Sequence, residues 1–213
     1  MCVAFAAAVW TLCPRRGEIL PGVRVAGLPI GGMSPAAARP RLQQHFSTVA
    51  TRKVLLVDGE RCWETTPGDL GCGLDLESTL QRAYAVGRTG SRARRLRESW
   101  QARREGLALK PTRVVDRLVL RKRLKALAAQ ARIPARDARI LFDGAAFVVT
   151  PERVGRWIDA EQTEKNIVRY FDPLTHRRVT LVAADERPRV TAAELRQIDA
   201  RLASYTTRFN PAD

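Results

Sequence analysis

Between residues 54 and 86 the hydrophobic pattern changes period twice. Val54, Leu55, Leu56 and Val57 form an apolar run that meets Asp58-Gly59, and a second short run follows from Cys62 to Thr65. Asp-Gly between two such runs predicts a β-hairpin whose two turn residues both adopt positive φ. Pro67 and Gly71 then bracket a tight turn. Beyond it the period becomes helical, with Leu76, Leu80, Ala83 and Tyr84 on one face. Asp75 stands where an N-cap is needed, its carboxylate accepting from a first-turn amide. The stretch reads as hairpin, tight turn and amphipathic helix.

The same pattern recurs from residue 138. Asp143-Gly144 answers to Asp58-Gly59; after the loss of one residue, Pro151, Gly155, Asp159 and Thr163 answer to Pro67, Gly71, Asp75 and Thr79. The shared residues are those that set backbone shape, as in a duplicated unit whose surfaces have diverged. Asp159 and Gln162 form a predicted capping box, and Ala160, Thr163, Ile167, Val168 and Phe171 share a helix face. A helix is predicted ahead of each hairpin. The first is capped by Ser34 with Pro35 at its first position, continues through Leu42 and Phe46, and should be kinked or shortened at Pro40. The second buries Leu120, Leu124, Leu127 and Ala131 opposite Arg121, Lys122, Arg123 and Lys125. Short strands at Val23 and Val25, at residues 107–110 and at residues 179–183 complete the units. The predicted class is α+β: two tandem strand-helix-hairpin-helix-strand repeats, with small antiparallel sheets packed by helices. The repeats occupy residues 18–110 and 111–188. In residues 189–213, Thr191 and Glu194 cap a helix lined by Leu195, Ile198 and Leu202, and a strand-like run at residues 204–209 opens a further domain.

Charge and chemistry add less. The net charge is +15, from 32 arginines and 5 lysines against 22 acidic residues. Such a chain is attracted to polyanions of any kind, and the charge alone does not choose among nucleic acid, anionic lipid and wall polymers. Seven arginines fall between residues 88 and 104, with Trp100 among them. Such a run can bind phosphate or bases, or form a solvated helix face. Residues 3–12 are apolar apart from Thr11, too short to span a bilayer, and residues 1–17 are expected to be the tail end of a membrane anchor or a signal-peptide remnant. Cys62 and Cys72 could pair in an oxidising compartment, or could be two buried thiols. No nucleophile motif, phosphate-cradling loop or metal-ligand spacing occurs, and His45 and His176 lie far apart. Neither catalysis nor a cofactor or metal is expected. Tryptophan stacks on sugar rings and arginine pairs with carboxylates, so Trp63 with Arg61, and Trp157 with Arg156, would suit a glycan bearing acidic peptides. Alternatively the two tryptophans close the two small cores.

Three stretches carry a family resemblance. ILPGVRVAGLPIGGMSPAAA (residues 19–38) resembles the opening of the extracytoplasmic region of VanW-family proteins, with its PGV-x-V-x-G strand and GGM[ST] helix start. RAYAVGRTGS (residues 82–91) resembles that family's AY-x-VGR-x-G signature, and IDARLASYTTRF (residues 198–209) resembles the lead-in to the VanW domain. The repeat is similar to the peptidoglycan-binding domain found in these proteins and ahead of some L,D-transpeptidase domains. The resemblance implies a bacterial, membrane-anchored, extracytoplasmic protein of the cell envelope. Its partner would be peptidoglycan or another anionic wall polymer, and it would place a C-terminal domain near the wall. Trp63, Arg88, Arg156 and Trp157 are the candidate ligand-binding residues. The competing readings are a basic nucleic-acid-binding protein, which lacks any recognised motif, and a structural spacer without a ligand.

Overall fold

The computed structural model describes residues 17–142 and 146–198. It is a mixed α+β chain of twelve strands and six helices among the described residues. In order these are β1 (Val23–Val25), β2 (Leu28–Pro29), α1 (Pro35–Ala50), β3 (Val54–Asp58), β4 (Arg61–Thr65), β5 (Cys72–Asp75), α2 (Leu76–Ala85), α3 (Arg92–Arg104), β6 (Leu107–Leu109), β7 (Thr112–Val115), α4 (Arg117–Ala131), β8 (Arg139–Phe142), β9 (Phe147–Thr150), β10 (Gly155–Ile158), α5 (Ala160–Tyr170), β11 (Arg178–Thr180), β12 (Ala183–Glu186) and α6 (Ala192–Leu195). The order helix, hairpin, strand, helix occurs twice, at α1-β3-β4-β5-α2 and at α4-β8-β9-β10-α5. The chain divides into two compact units, Met1–Ala126 with Ala160–Val182, and Leu127–Asp159 with Ala183–Asp213. The division falls inside α4, so the units interleave residues of the two sequence copies.

In the first unit, Ile19, Leu20, Val23, Val25, Ile30, Leu42, Phe46, Leu80 and Ala83 form the core. Every helix face expected there is the buried one. Ser34 caps α1, its Oγ accepting from Ala37 N at 3.2 Å. Asp75 caps α2, with Oδ1 accepting from Ser78 N at 3.0 Å. Helix α1 runs on past Pro40 to Ala50, so the proline does not shorten it. Proline deprives the carbonyl four residues back of its donor, and both Pro40 and Ala36 are exposed, so water can serve that carbonyl.

The strands differ from expectation in three ways. Two sheets are mixed rather than antiparallel: β1 pairs antiparallel with β2 and parallel with β6, and β3 pairs antiparallel with β4 and parallel with β11. A strand also follows each tight turn; β5 pairs with β7 and β10 with β12. Finally, the expected strand at residues 179–183 is two strands, interrupted where Leu181 N donates to Val57 O and Val182 N to the buried Thr163 Oγ1. The first hairpin turn is also shifted by one residue. Asp58 ends β3 opposite Arg61, and the central residues are Gly59 and Glu60, of which only Gly59 has positive φ, 59°. Only the first central residue is left-handed, as in a II′ turn. The corresponding Asp143-Gly144 lies outside the described residues, as do residues 3–12 and 204–209.

In the second unit β8 and β9 form a hairpin with Phe142 and Phe147 packed across it, the rings tilted by 53° with centroids 5.1 Å apart. Residues 189–192 are tied to it: Ala138 N donates to Val190 O, Arg189 N to Asp137 Oδ1, and Ala192 N to Glu152 Oε2. Thr191 and Glu194 form the expected capping box. Gly155, at the start of β10, is crossed by residues 133–135 so closely that a Cβ there would lie 2.3 Å from Ala135 N and 2.6 Å from Ile133 O.

Helices α4 and α5 are joined in the first unit by Arg121, whose Nε and Nη2 donate to Glu164 Oε2 and Oε1 at 2.9 and 3.1 Å. Glu164 is buried. The hydrogen bonds from Arg121, reinforced by its charge and outweighing burial, hold the Glu164 carboxyl below the usual carboxylate range.

Two outcomes are expected. Gly155→Ala should lower stability by about 1–3 kcal/mol in urea unfolding, because backbone must move. Gly59→Ala, where the Cβ position is open and only the positive φ resists, should cost less, about 1 kcal/mol. Separately, Arg121→Ala should lower the melting temperature at neutral pH. The pair stabilises the fold above the unfolded-state pKa of Glu164 and stops doing so as pH falls through its depressed folded-state pKa. The gap between wild type and variant should therefore close on acidification.

Candidate functional site

Strand β10 presents Trp157 on one face of the β10–β12 ribbon. The register pairs Trp157 with Ala184, Gly155 with Glu186, Arg156 with Asp185 and Ile158 with Ala183. Neighbours along a strand point to opposite faces, so Trp157 shares its face with Glu186, and Arg156 shares the other with Asp185. Ala184 is too small to cover the indole, which is 40% exposed. Beside it opens a groove of about 410 Å³ lined by Ala128, Ala129, Arg132, Trp157, Ile158 and Glu186. Arg132 Nη2 donates to both Glu186 carboxylate oxygens at 3.0 and 3.2 Å, while Arg156 Nη1 donates to Asp185 Oδ1 at 3.1 Å.

The placement of Arg132 follows from the crossing at Gly155. Ile133 and Arg156 exchange backbone hydrogen bonds of 2.8 and 2.7 Å, and Arg136 and Arg153 exchange two of 2.8 Å. This false strand pins the chain just beyond α4 to β10 and leaves Arg132 at the groove. A flat apolar ring next to an ion pair and two alanines suits a ligand that is itself amphipathic. The indole can cover the apolar face of a sugar ring, and Arg132 and Glu186 can exchange hydrogen bonds with hydroxyl, amide and carboxylate groups.

The expected residues are thus divided. Trp157 stands in the groove, but its sequence neighbour Arg156 faces away from it, and the arginine beside Trp157 comes from 25 positions earlier. Trp63, in the first unit, lies half-buried on β4 opposite the buried Leu56, with the Arg61 guanidinium carbon 4.9 Å from its ring centroid. That pairing is as expected, because Arg61 and Trp63 are two apart on one strand face. Arg88 acts as a strut: it stacks over Tyr84 at 4.0 Å, donates to Tyr84 O at 2.7 Å and reaches Glu18 O. A guanidinium there satisfies a carbonyl at the C-terminal end of α2, where positive charge is favoured. Arg132 and Glu186 were missed. With residues 155–158 expected in a turn, the alternation that sets Arg156 and Trp157 on opposite faces became visible only with β10, and nothing local pointed to Arg132.

Cys62 and Cys72 are both free thiols, the first exposed and the second buried. Burial pushes the Cys72 thiol up to about 11, so it is protonated and unreactive at neutral pH. Among the described residues no cluster of His, Cys, Asp and Glu could hold a metal ion, and no helix is long and apolar enough to cross a membrane.

Fold and groove together define a small α+β module with a shallow aromatic recess. Residues 63–172, just over half of the chain, match the family described as "Putative peptidoglycan binding domain", and the chain belongs to that family. No curated protein and no solved structure matches it.

In a Cys2→Ser, Cys13→Ser background, a thiol reagent at neutral pH should label Cys62 within the mixing time and leave Cys72 unmodified until denaturant is added. Rapid native labelling of both would contradict the burial of Cys72.

Proposed function

We propose that this protein is a non-catalytic, extracytoplasmic cell-wall module that binds peptidoglycan. Its ligand site is the groove at Trp157, Arg132 and Glu186. The observation that carries this reading is an exposed indole beside an arginine–glutamate pair in a chain of the peptidoglycan-binding family. The glycan would stack on Trp157, and the acidic groups of a stem peptide would compete with Glu186 for Arg132. The repeat of helix, hairpin, strand and helix, and the resemblance of residues 19–38 and 82–91 to VanW-family proteins, support a role in placing a C-terminal VanW-like domain at the wall. The apolar residues 3–12 support attachment to the membrane.

The purified chain should co-sediment saturably with isolated sacculi at physiological salt and should not be displaced by duplex DNA. Trp157→Ala and Arg132→Ala should each weaken binding about tenfold, ~1.4 kcal/mol, without loss of the folded state. Failure to pellet, or release by DNA, would overturn the reading.

A further inference from the structure

The arginine-rich run at residues 92–104 is a helix whose two sides do different things. Its hidden side holds it to the first unit. Ser99 and Ala102 are buried. Glu98 accepts from Arg94 Nε at 2.8 Å and from Gly87 N at 2.9 Å. A Cβ on Gly22 would lie 1.8 Å from Ala102 O, so the helix rests directly on that glycine. The outward side faces solvent, yet it is not simply polar. At helical spacing Ala93, Leu96 and Trp100 share one strip, and Leu96 and Trp100 are 53% and 48% exposed. Arg97 and Arg104 border the strip on one flank, Arg92 and Arg103 on the other. The Arg104 guanidinium carbon lies 5.0 Å from the Trp100 ring centroid.

We propose that this face of α3 docks on an anionic phospholipid surface. A leucine and a tryptophan held in water by a helix anchored from behind gain by entering the boundary between headgroups and acyl chains, where indole is favoured. The flanking arginines can lay their stems along that boundary and reach lipid phosphates, and guanidinium pairs with phosphate in two-pronged fashion. The four arginines match a negative surface, whereas a nucleic-acid backbone would make no use of the leucine–alanine strip between them. The helix is 13 residues, roughly 20 Å, long and therefore lies on the surface rather than crossing it. This surface is independent of the groove at Trp157.

The test uses the full chain with Trp100 as its sole tryptophan (Trp10→Phe, Trp63→Phe, Trp157→Phe), titrated with vesicles of phosphatidylglycerol and phosphatidylcholine, or of phosphatidylcholine alone. Trp100 emission should shift to the blue and become protected from acrylamide on the anionic vesicles only. Leu96→Ser, or Arg97→Gln with Arg104→Gln, should weaken the response about tenfold with an unchanged circular dichroism spectrum. If the triple replacement does not fold, the difference between wild type and Trp100→Phe in quenching by brominated lipid reads the same contact. The proposal is overturned if the chain pellets with vesicles while Trp100 stays in water. A response to neutral vesicles of equal size, or equal shielding of Trp100 by duplex DNA, would also overturn it.

Discussion

The backbone crossing at Gly155 is the contact on which the groove depends. Residues 133–136 lie against β10 with no room for a methyl group between them, and paired hydrogen bonds at Ile133–Arg156 and Arg136–Arg153 hold them there. Because the crossing comes directly after α4, it delivers Arg132 and the last turn of that helix to the face of β10 that carries Trp157. The equivalent glycine of the first hairpin is also crossed. Gly71, at φ 66°, accepts from Asp116 N at 2.8 Å, and a Cβ there would meet Asp116 O at 2.8 Å. Each tight turn thus ends at a glycine under a segment that flanks α4: the residue before it in one case, the residues after it in the other.

The arginines that dominate the charge fall into distinct physical roles. Some brace the fold by donating to carbonyl oxygens or to a buried carboxylate: Arg88 on Tyr84 and Glu18, Arg113 on Phe171 O at 2.7 Å, Arg121 on Glu164. Arg132 sits at a groove in a partly exposed ion pair. Four of the six in α3 border an apolar strip in solvent. A net charge of +15 sums these roles and so cannot distinguish among them; only the partners of each guanidinium can.

Much of the local structure was legible in the chain. Ser34, Asp75 and Thr191 cap helices as their residue types and spacings require, and Leu120, Leu124, Leu127 and Ala131 are buried as their period demands. The hairpin at Asp58-Gly59 was legible too, but not which residues occupy the turn, because Asp58 can end a strand as readily as enter a turn. The aromatic half of the groove was legible at Trp157, and its charged half was not.

The alternation of hairpins and amphipathic helices, the helix faces and the caps can be read from the chain alone, because these depend on interactions within a few residues of one another. The strand partners, including the parallel pairings of β1 with β6 and β3 with β11, and the companions of Trp157 emerge only in the folded chain. Those choices depend on which distant segments can close onto one another, and a local period carries no record of them. Arg132 meets Glu186 and lies beside Trp157 because a glycine allows two backbones to touch, a condition visible as Gly155 in the chain but without its meaning until the crossing segment is in place.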